Sequence, residues 1–226
     1  MKPPLKIDFV SDVSCPWCAI GLASLETALG KLGGDVKAQV HFQPFELNPQ
    51  MPPGGQDITE HLTQKYRTTR EQQAAAREAI RERGAAVGFT FDMGLRGRIY
   101  NTFDAHRLLH WAEDQGRQQA LKEKLFEAYF TQGENPGAHD VLLRAAGEVG
   151  LDVDAARQVL ASNAYADEVR QLEYYWQRAG IHSVPAIIIN QRHLINGGQP
   201  PEVFEQALRQ IAQQDEELEQ DEEPAA

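Results

Sequence analysis

Two cysteines, the only two in this chain of 226 residues, lie in the segment Cys15-Pro16-Trp17-Cys18. In a helix, Cys18 would lie one turn beyond Cys15, near enough to close a disulfide. Pro16 suits the first helical position, where its missing N–H group costs nothing, and this predicts Cys15 at the N-cap. The free N–H groups of the first turn and the positive helix end favour a thiolate there. Because a thiolate is the nucleophile in disulfide exchange, the segment predicts a redox-active dithiol with Cys15 as the more acidic and more accessible thiol.

Other interpretations of the cysteine pair agree less well with the chain. A structural disulfide at this spacing would close only a short loop, where loop closure contributes least to stability. A zinc site needs four ligands, and the chain has no second cysteine pair. Two core cysteines paired by chance would not explain the apolar run before Cys15 and the proline after it. We therefore predict no metal site.

Two histidines on a predicted helix, His106 and His110, have the spacing of neighbouring metal ligands. They lie far beyond Cys18 in sequence, whereas zinc-finger patterns separate their ligand pairs by roughly 12–15 residues. No third ligand is identifiable beside them. We expect a packed, hydrogen-bonded histidine pair.

Composition limits the classes of protein to which the chain can belong. Its length suits one domain, or one domain with an insertion. No run of about 18 apolar residues is present, so we expect no membrane span. The first eight residues lack the apolar stretch of a secretory signal, which predicts a cytoplasmic protein. Cysteines in that reducing compartment are more often reactive than structural.

The negative charge of the chain is concentrated at one end. The net charge is −11, and seven acidic residues without a base lie within 215–223, which leaves −4 elsewhere. We expect residues 215–226 to form a disordered, solvated acidic tail that is dispensable for exchange. No basic patch indicates a nucleic-acid partner.

The hydrophobic pattern predicts the order β-α-β, a block of helices, then β-β-α. A strand near Leu5–Val10 precedes the cysteine helix, which ends at Gly33-Gly34, and an alternating strand follows over 36–42. Within the helical block, Thr69-x-x-Gln72 is a capping box, and 89–91 is a short extended segment. The apolar run 186–189 is typical of a strand covered on both faces, with an antiparallel partner at 193–195. This predicts an α/β domain formed by 1–48 and 181–214, interrupted by an all-helical insertion over 49–180.

Further residues could take part in chemistry or binding. Trp17 is predicted to be an exposed apolar contact for substrate chains. Pro185 opens a strand, which has a plain structural explanation, and X-Pro bonds are mostly trans. A cis bond would instead turn the backbone of Val184 outward, where an extended substrate could pair with it. Asp12 could raise the pKa of Cys15 and Asp8 could relay a proton to Cys18, but we expect both to be solvated or capping aspartates.

Several segments together resemble the DsbA family of thiol–disulfide oxidoreductases. They are Asp8–Cys18, Ser183–Ile187 and Gly197–Pro200. The segments Phe42–Pro49 and Asn101–Leu108 are similar to the FrnE-like branch of that family. The resemblance extends from about Lys6 to Ile211.

The resemblance implies a thioredoxin-like fold with a large all-helical insertion domain. It also implies that Cys15 attacks, that Cys18 resolves, and that Pro185 is cis and faces the dithiol. Pro16, Trp17 and Val184 would then contact the substrate. Two departures matter: Ser183 replaces a glycine common in the branch, and Trp17 replaces the histidine of periplasmic members. The strongly oxidising behaviour of those members is therefore not expected.

The sequence thus predicts a dithiol–disulfide oxidoreductase that acts on protein or peptide disulfides. It would need no cofactor beyond its own dithiol, with an external thiol donor such as glutathione or thioredoxin. One alternative is a glutathione-dependent small-molecule isomerase resembling hydroxychromene-carboxylate isomerase, although such enzymes usually have serine at the first cysteine position. Another is a non-catalytic binding module. The direction of exchange and the oligomeric state are not predicted.

Overall fold

The computed structural model describes residues 4–222, with side chains described as far as Asp215. Six strands are present in this part of the chain: β1 Leu5–Ser11, β2 Ala38–Pro44, β3 Gln56–Asp57, β4 Arg98–Ile99, β5 Ala186–Ile189 and β6 His193–Asn196. The helices of the same residues are α1 Pro16–Leu32, α2 Ile58–Tyr66, α3 Arg70–Ala86, α4 Phe103–Asp114, α5 Gln118–Phe130, α6 His139–Glu148, α7 Val153–Ala161, α8 Ala166–Arg178 and α9 Pro201–Glu222. None of these helices is both long and apolar enough to cross a membrane.

Four strands form a mixed sheet in the order β2-β1-β5-β6. Strand β1 pairs in parallel with β2 and antiparallel with β5, so that Phe9 lies between Phe42 and Ile187. Strand β6 is antiparallel to β5. The connection between β1 and β2 runs through α1, as a parallel pair requires a long crossover. The predicted α/β architecture, β-α-β followed after a helical insertion by β-β-α, is confirmed.

The helical insertion shares a hydrophobic core with the sheet. Helices α1 and α9 pack together, and their buried residues form one cluster with side chains of β1 and β5. Ile80, Phe91, Phe126 and Phe130 of the insertion belong to the same cluster. A second cluster joins α4, α5, α6 and α7. The insertion is therefore held against the sheet by apolar packing, which fixes the walls of the cleft described below.

The local structure agrees with the sequence at the predicted start of α3. Helix α3 opens with the predicted capping box, in which the amide of Gln72 donates to the Thr69 hydroxyl at 3.3 Å and the Thr69 amide donates to the Gln72 side chain at 2.9 Å. The predicted extended segment at 89–91 belongs to no strand of the described structure; Phe89 and Phe91 pack against each other and against Phe130. The sequence did not predict strands β3 and β4, because a segment of two residues is too short to show an alternating hydrophobic pattern.

The acidic end of the chain also differs from expectation. Helix α9 continues to Glu222, so residues 215–222 are helical rather than disordered. Asp215 accepts hydrogen bonds from the Asn190 amide at 2.6 Å and from Arg192 at 3.1 Å, which ties this helix to the β5–β6 turn. Glutamate and glutamine also favour helix intrinsically. Residues 223–226 of the predicted tail lie outside the described part of the chain.

Candidate active site

The dithiol lies at the start of α1, just after the short connection that follows β1. Cys15 is the N-cap residue, with extended backbone angles (φ −92°, ψ 113°), and Pro16 occupies the first turn. Both cysteines are free thiols. Cys15 is 4% exposed and Cys18 is fully buried, whereas Trp17 between them is 39% exposed. The predicted N-cap geometry is present, and the small exposed surface of the pair belongs to Cys15.

The pKa values of the two thiols are shifted in opposite directions. A hydrogen bond from the Cys18 side chain lowers the pKa of Cys15; burial opposes this shift, and the amides of Cys18 and Trp17 reinforce it. Burial raises the pKa of Cys18 well above its usual value, and the hydrogen bond to Cys15 adds to that increase. A negative charge on the pair therefore resides on Cys15, the thiol that a substrate can reach.

The loop before β5 reaches the dithiol from the far end of the chain. The Cys15 thiol lies 3.6 Å from the carbonyl oxygen of Val184 and donates to it. The Val184–Pro185 peptide bond is cis. The ring of Pro185 packs against Gly21 of α1. The structure thus places Cys15 and Val184 in contact, while their roles in substrate binding remain predictions.

Gly198, in the connection between β6 and α9, allows that connection to approach the backbone of α1 closely. A Cβ atom added at Gly198 would lie 2.7 Å from the carbonyl oxygen of Trp17, well inside van der Waals contact. Because that oxygen belongs to the backbone of the first turn of α1, it has little freedom to move away. The segment Gly197–Pro200 that supported the family resemblance therefore packs directly against the dithiol helix.

Asp12 is a buried carboxylate beneath the site; of the two expected arrangements, solvated or capping, its contact with the Ser14 amide fits the capping one. It accepts hydrogen bonds from the amides of Ser14 at 3.1 Å and Leu47 at 2.7 Å, and the ring of His106 lies 3.6 Å away. Burial alone would raise its pKa, but His106 and the two amides outweigh burial and lower it to about 2. The resulting charge raises the pKa of Cys15, so Asp12 limits the acidity of the nucleophile while it fixes the turn before it.

Asp8 is also buried, but its contacts lie elsewhere. Its carboxylate accepts a hydrogen bond from Gln43 at 2.8 Å and lies 3.4 Å from the Lys6 ammonium. Among the described residues it makes no hydrogen bond to Cys18. The suggested proton relay from Asp8 is therefore not supported by the geometry.

Lys122 of α5 is a buried cation that sequence reasoning missed. Its side chain is only 1% exposed, and its ammonium lies 5.0 Å from the centre of the Phe126 ring. Burial lowers its pKa to about 8, against the attraction of Cys18, Asp12 and Cys15. In turn, its charge lowers the pKa of Cys18. Lys122 shares a helix face with Leu121, Leu125 and Phe126. This position on the apolar face of α5 is the sequence feature that could have indicated its burial.

The two histidines of α4 do not form the predicted hydrogen-bonded pair. His106 is buried beside Asp12, and its Nε2 atom has no hydrogen-bond partner within the described residues. His110 packs edge to face against Tyr165, with ring centroids 5.5 Å apart. One histidine therefore belongs to the surroundings of the dithiol and the other to helix packing.

A cleft of about 760 Å³ opens in front of Cys15. Pro16, Trp17 and Val184, the three predicted substrate contacts, lie along it with Cys15. Apolar side chains from the segment after β2, from α2 and from α3 line it as well: Phe45, Leu47, Ile58, Leu62, Tyr66 and Ile80. The cations Lys65, Arg77 and Arg96 also line it. A mainly apolar cleft with a few polar groups beside a reactive thiol is suited to bind a substrate.

A free dithiol at a helix N-terminus, facing an X-Pro loop on a four-stranded mixed sheet, defines the class of thioredoxin-fold thiol proteins. Residues 6–209 match the family described as DSBA-like thioredoxin domain. The chain belongs to that family, as its resemblance predicted.

Three similar proteins illustrate the range of the fold. The chain is 30% identical over 203 residues to the uncharacterized protein YwbO of Bacillus subtilis (strain 168), covering 89% of this chain and 94% of that one. The structure of a probable DsbA oxidoreductase, SCO1869 from Streptomyces coelicolor, is 35% identical and superposes with a TM-score of 0.84 over 91% of this chain and 89% of that one. A 2-hydroxychromene-2-carboxylate isomerase, 15% identical, shares the fold with a TM-score of 0.72, over 94% and 98% of the two chains.

Proposed function

We propose that this protein is a dithiol–disulfide oxidoreductase that exchanges disulfides with protein or peptide substrates through Cys15 and Cys18. The observation that carries the proposal is the opposite perturbation of two adjacent thiols. The pKa of the more accessible one is lowered and that of the fully buried one is raised. This is the division that attack and resolution require.

The reaction then proceeds in two exchanges. The Cys15 thiolate attacks one sulfur of a substrate disulfide; that disulfide breaks, and its other sulfur leaves as a thiolate that takes up a proton. Cys18 loses its proton and attacks the Cys15 sulfur, which forms the Cys15–Cys18 disulfide and releases the second substrate thiolate. The substrate gains two electrons and the protein dithiol loses two. An external thiol, of the glutathione or thioredoxin class, would restore the dithiol.

The surroundings of the dithiol support each exchange. Trp17 and the apolar side chains of the cleft offer contacts for substrate side chains, and Val184, which lines the cleft beside Cys15, would offer backbone groups to an extended chain. The positive charge of Lys122 eases the ionisation of Cys18 when it must attack. We place this activity in the FrnE-like branch, on the segments Phe42–Pro49 and Asn101–Leu108, and in a reducing compartment such as the cytoplasm, which keeps the two cysteines reactive.

A second candidate is a glutathione-dependent isomerase acting on a small molecule. The apolar walls and the volume of the cleft favour it, and the isomerase described above shares the fold. The presence of Cys18 as a second thiol favours exchange instead, since an isomerase of this kind has no use for a resolving cysteine.

Insulin reduction separates these candidates. With glutathione or a reduced thioredoxin system as donor, we expect the protein to accelerate precipitation of the insulin B chain, and we expect Cys15→Ser to abolish that acceleration because no nucleophile remains. Binding to immobilised glutathione is measured in parallel. Tight retention without insulin reduction would favour the isomerase and contradict the proposal.

A further inference from the structure

The cleft beside Cys15 carries an excess of positive charge in a protein that is strongly acidic overall. Lys65, Arg77 and Arg96 line it, although the chain has a net charge of −11. The acidic residue among its lining side chains is Glu46, whose carboxylate pairs with Arg170 outside the cleft lining. Burial and the neighbouring cations lower the pKa of His61, which therefore adds no charge at neutral pH.

Arg96 is held rigidly at the end of the cleft nearest the nucleophile. Its Nη2 atom donates to the carbonyl oxygen of Ser14 at 3.1 Å, and Ser14 directly precedes Cys15. Its guanidinium lies over two aromatic rings, 4.9 Å from the centre of Tyr129 and 5.1 Å from that of Phe130. Such stacking fixes the plane of a guanidinium while leaving its edge free to donate.

Beyond the bond to Ser14, Arg96 has hydrogen-bonding capacity that the described protein does not use. Its Nε atom is buried and has no partner among the described residues. No carboxylate of that part of the chain forms an ion pair with it. A buried donor without a partner costs free energy, and a bound carboxylate would remove that cost through the paired hydrogen bonds for which the guanidinium is shaped.

The other two cations also keep their charge available. The Lys65 ammonium donates to the Leu47 carbonyl at 2.7 Å and to the Asn48 amide oxygen at 2.8 Å, which are neutral acceptors. Arg77 is half-buried on the same face of α3 as Gln73 and Ile80, and it forms no ion pair with a described residue. The three side chains thus form a positive surface that no acidic side chain of the described protein neutralises.

We propose that this cleft selects disulfides that carry a carboxylate close to the reacting sulfur, with Arg96 binding that carboxylate and Arg77 and Lys65 attracting it. The inference rests on the proposed exchange reaction and names its substrate class. The carboxylate could belong to an acidic residue beside the cystine of a peptide or to a small thiol disulfide. In both cases the electrons and protons follow the two exchanges given above.

The test compares paired substrates in which one member lacks a carboxylate that the other carries. Values of kcat/KM for reduction are measured with a peptide disulfide that has Glu beside its cystine and with the same peptide carrying Gln. A second pair is glutathione disulfide and its neutral ethyl ester. We expect the acidic member of at least one pair to be preferred by roughly tenfold or more, since hydrogen bonds to charged groups are worth about that ratio. Salt should weaken the preference.

Variants assign the preference to the cleft. Arg96→Gln should reduce the acidic-to-neutral ratio to near one, and Arg96→Lys should restore only part of it because the fork is lost. Arg77→Gln should lower the ratio less, and it keeps the test available if both Arg96 variants fail to fold. Arg70→Gln, on the same helix but outside the cleft lining, is the matched control and should leave the ratio unchanged.

The outcomes distinguish a peptide carboxylate from that of a small thiol. They also distinguish failure of this inference from failure of the proposed function. A preference within the peptide pair assigns the site to acidic protein substrates, and a preference within the glutathione pair alone assigns it to small thiols. Exchange without any preference, or a preference that Arg96→Gln and Arg77→Gln leave intact, overturns the inference but not the proposed function. A protein that reduces none of the four substrates would contradict the proposed function itself.

Discussion

Replacing Lys122 by methionine should stabilise the folded protein at neutral pH and slow the step that Cys18 performs. Methionine fits the volume and the apolar surroundings of the lysine, while it removes a buried charge. The same substitution removes the cation that lowers the pKa of Cys18. We expect the mixed disulfide at Cys15 to persist longer during turnover, because less Cys18 thiolate is present to resolve it.

The stability difference should depend on pH in a defined direction. The pKa of Lys122 falls from 10.5 in the unfolded chain to about 8 in the folded protein. Between these pH values the unfolded chain binds the proton and the folded protein does not, so stability rises with pH by about 3 kcal/mol. The advantage of the methionine variant is therefore largest below pH 8 and shrinks as the pH approaches 10.5.

Urea unfolding of the reduced proteins across this range measures the effect. Lys124→Met is the matched control, since Lys124 lies on the same helix in an exposed pair with Glu127 at 2.8 Å, and such pairs contribute about 1 kcal/mol or less. A methionine variant that is less stable at pH 7, or one that resolves mixed disulfides at the wild-type rate, would contradict the role given to Lys122.

Replacing Asp12 by alanine should destabilise the protein by about 2–4 kcal/mol at neutral pH. The substitution leaves the buried amides of Ser14 and Leu47 without their acceptor. It also removes the negative charge that raises the pKa of Cys15. The variant should therefore be less stable and carry a more acidic nucleophile, two effects that a purely structural carboxylate would not combine.

Acid unfolding and thiol alkylation test these two effects. The pKa of Asp12 is lowered from 3.8 to about 2 by folding, so its contribution is complete above pH 4 and is lost as the pH falls towards 2. The stability of wild type and variant should converge over that range. Asp12→Asn, which keeps one acceptor, should lie between them. Unchanged Cys15 alkylation in both variants would show that the carboxylate does not act on the thiol.

The part of the site that the sequence could predict is the part made by consecutive residues. The N-cap position of Cys15 follows from Pro16 and from the strand before it, since capping and helix initiation are local. The proximity of Val184 to Cys15 joins residues far apart in the chain, so it followed only from resemblance to a family. The order of the main strands and helices could also be predicted, because each of them shows the hydrophobic periodicity of its own type of secondary structure.

The charged surroundings of the dithiol could not be predicted from local patterns. Lys122 lies beside Glu123 and Lys124 of α5, and only its position on the apolar face distinguishes it from a solvated side chain. Arg96 lies in an irregular segment without a period, and its stacking on Tyr129 and Phe130 depends on how the insertion packs. Asp12 caps the turn before Cys15, which was one of its two expected arrangements, but its burial could not be predicted because the covering segment after β2 lies far along the chain.

The most direct test of the central claim, that Cys15 attacks and Cys18 resolves, is to trap the intermediate in the Cys18→Ser variant. The reduced variant is mixed with a peptide disulfide, quenched with acid, and analysed by intact mass and by peptide mapping. We predict one peptide adduct per chain, attached to Cys15 and released by reductant, whereas the wild type under the same conditions should accumulate the Cys15–Cys18 disulfide instead. No adduct on the variant, together with a stable adduct on Cys18 in Cys15→Ser, would reverse the assignment and contradict the account.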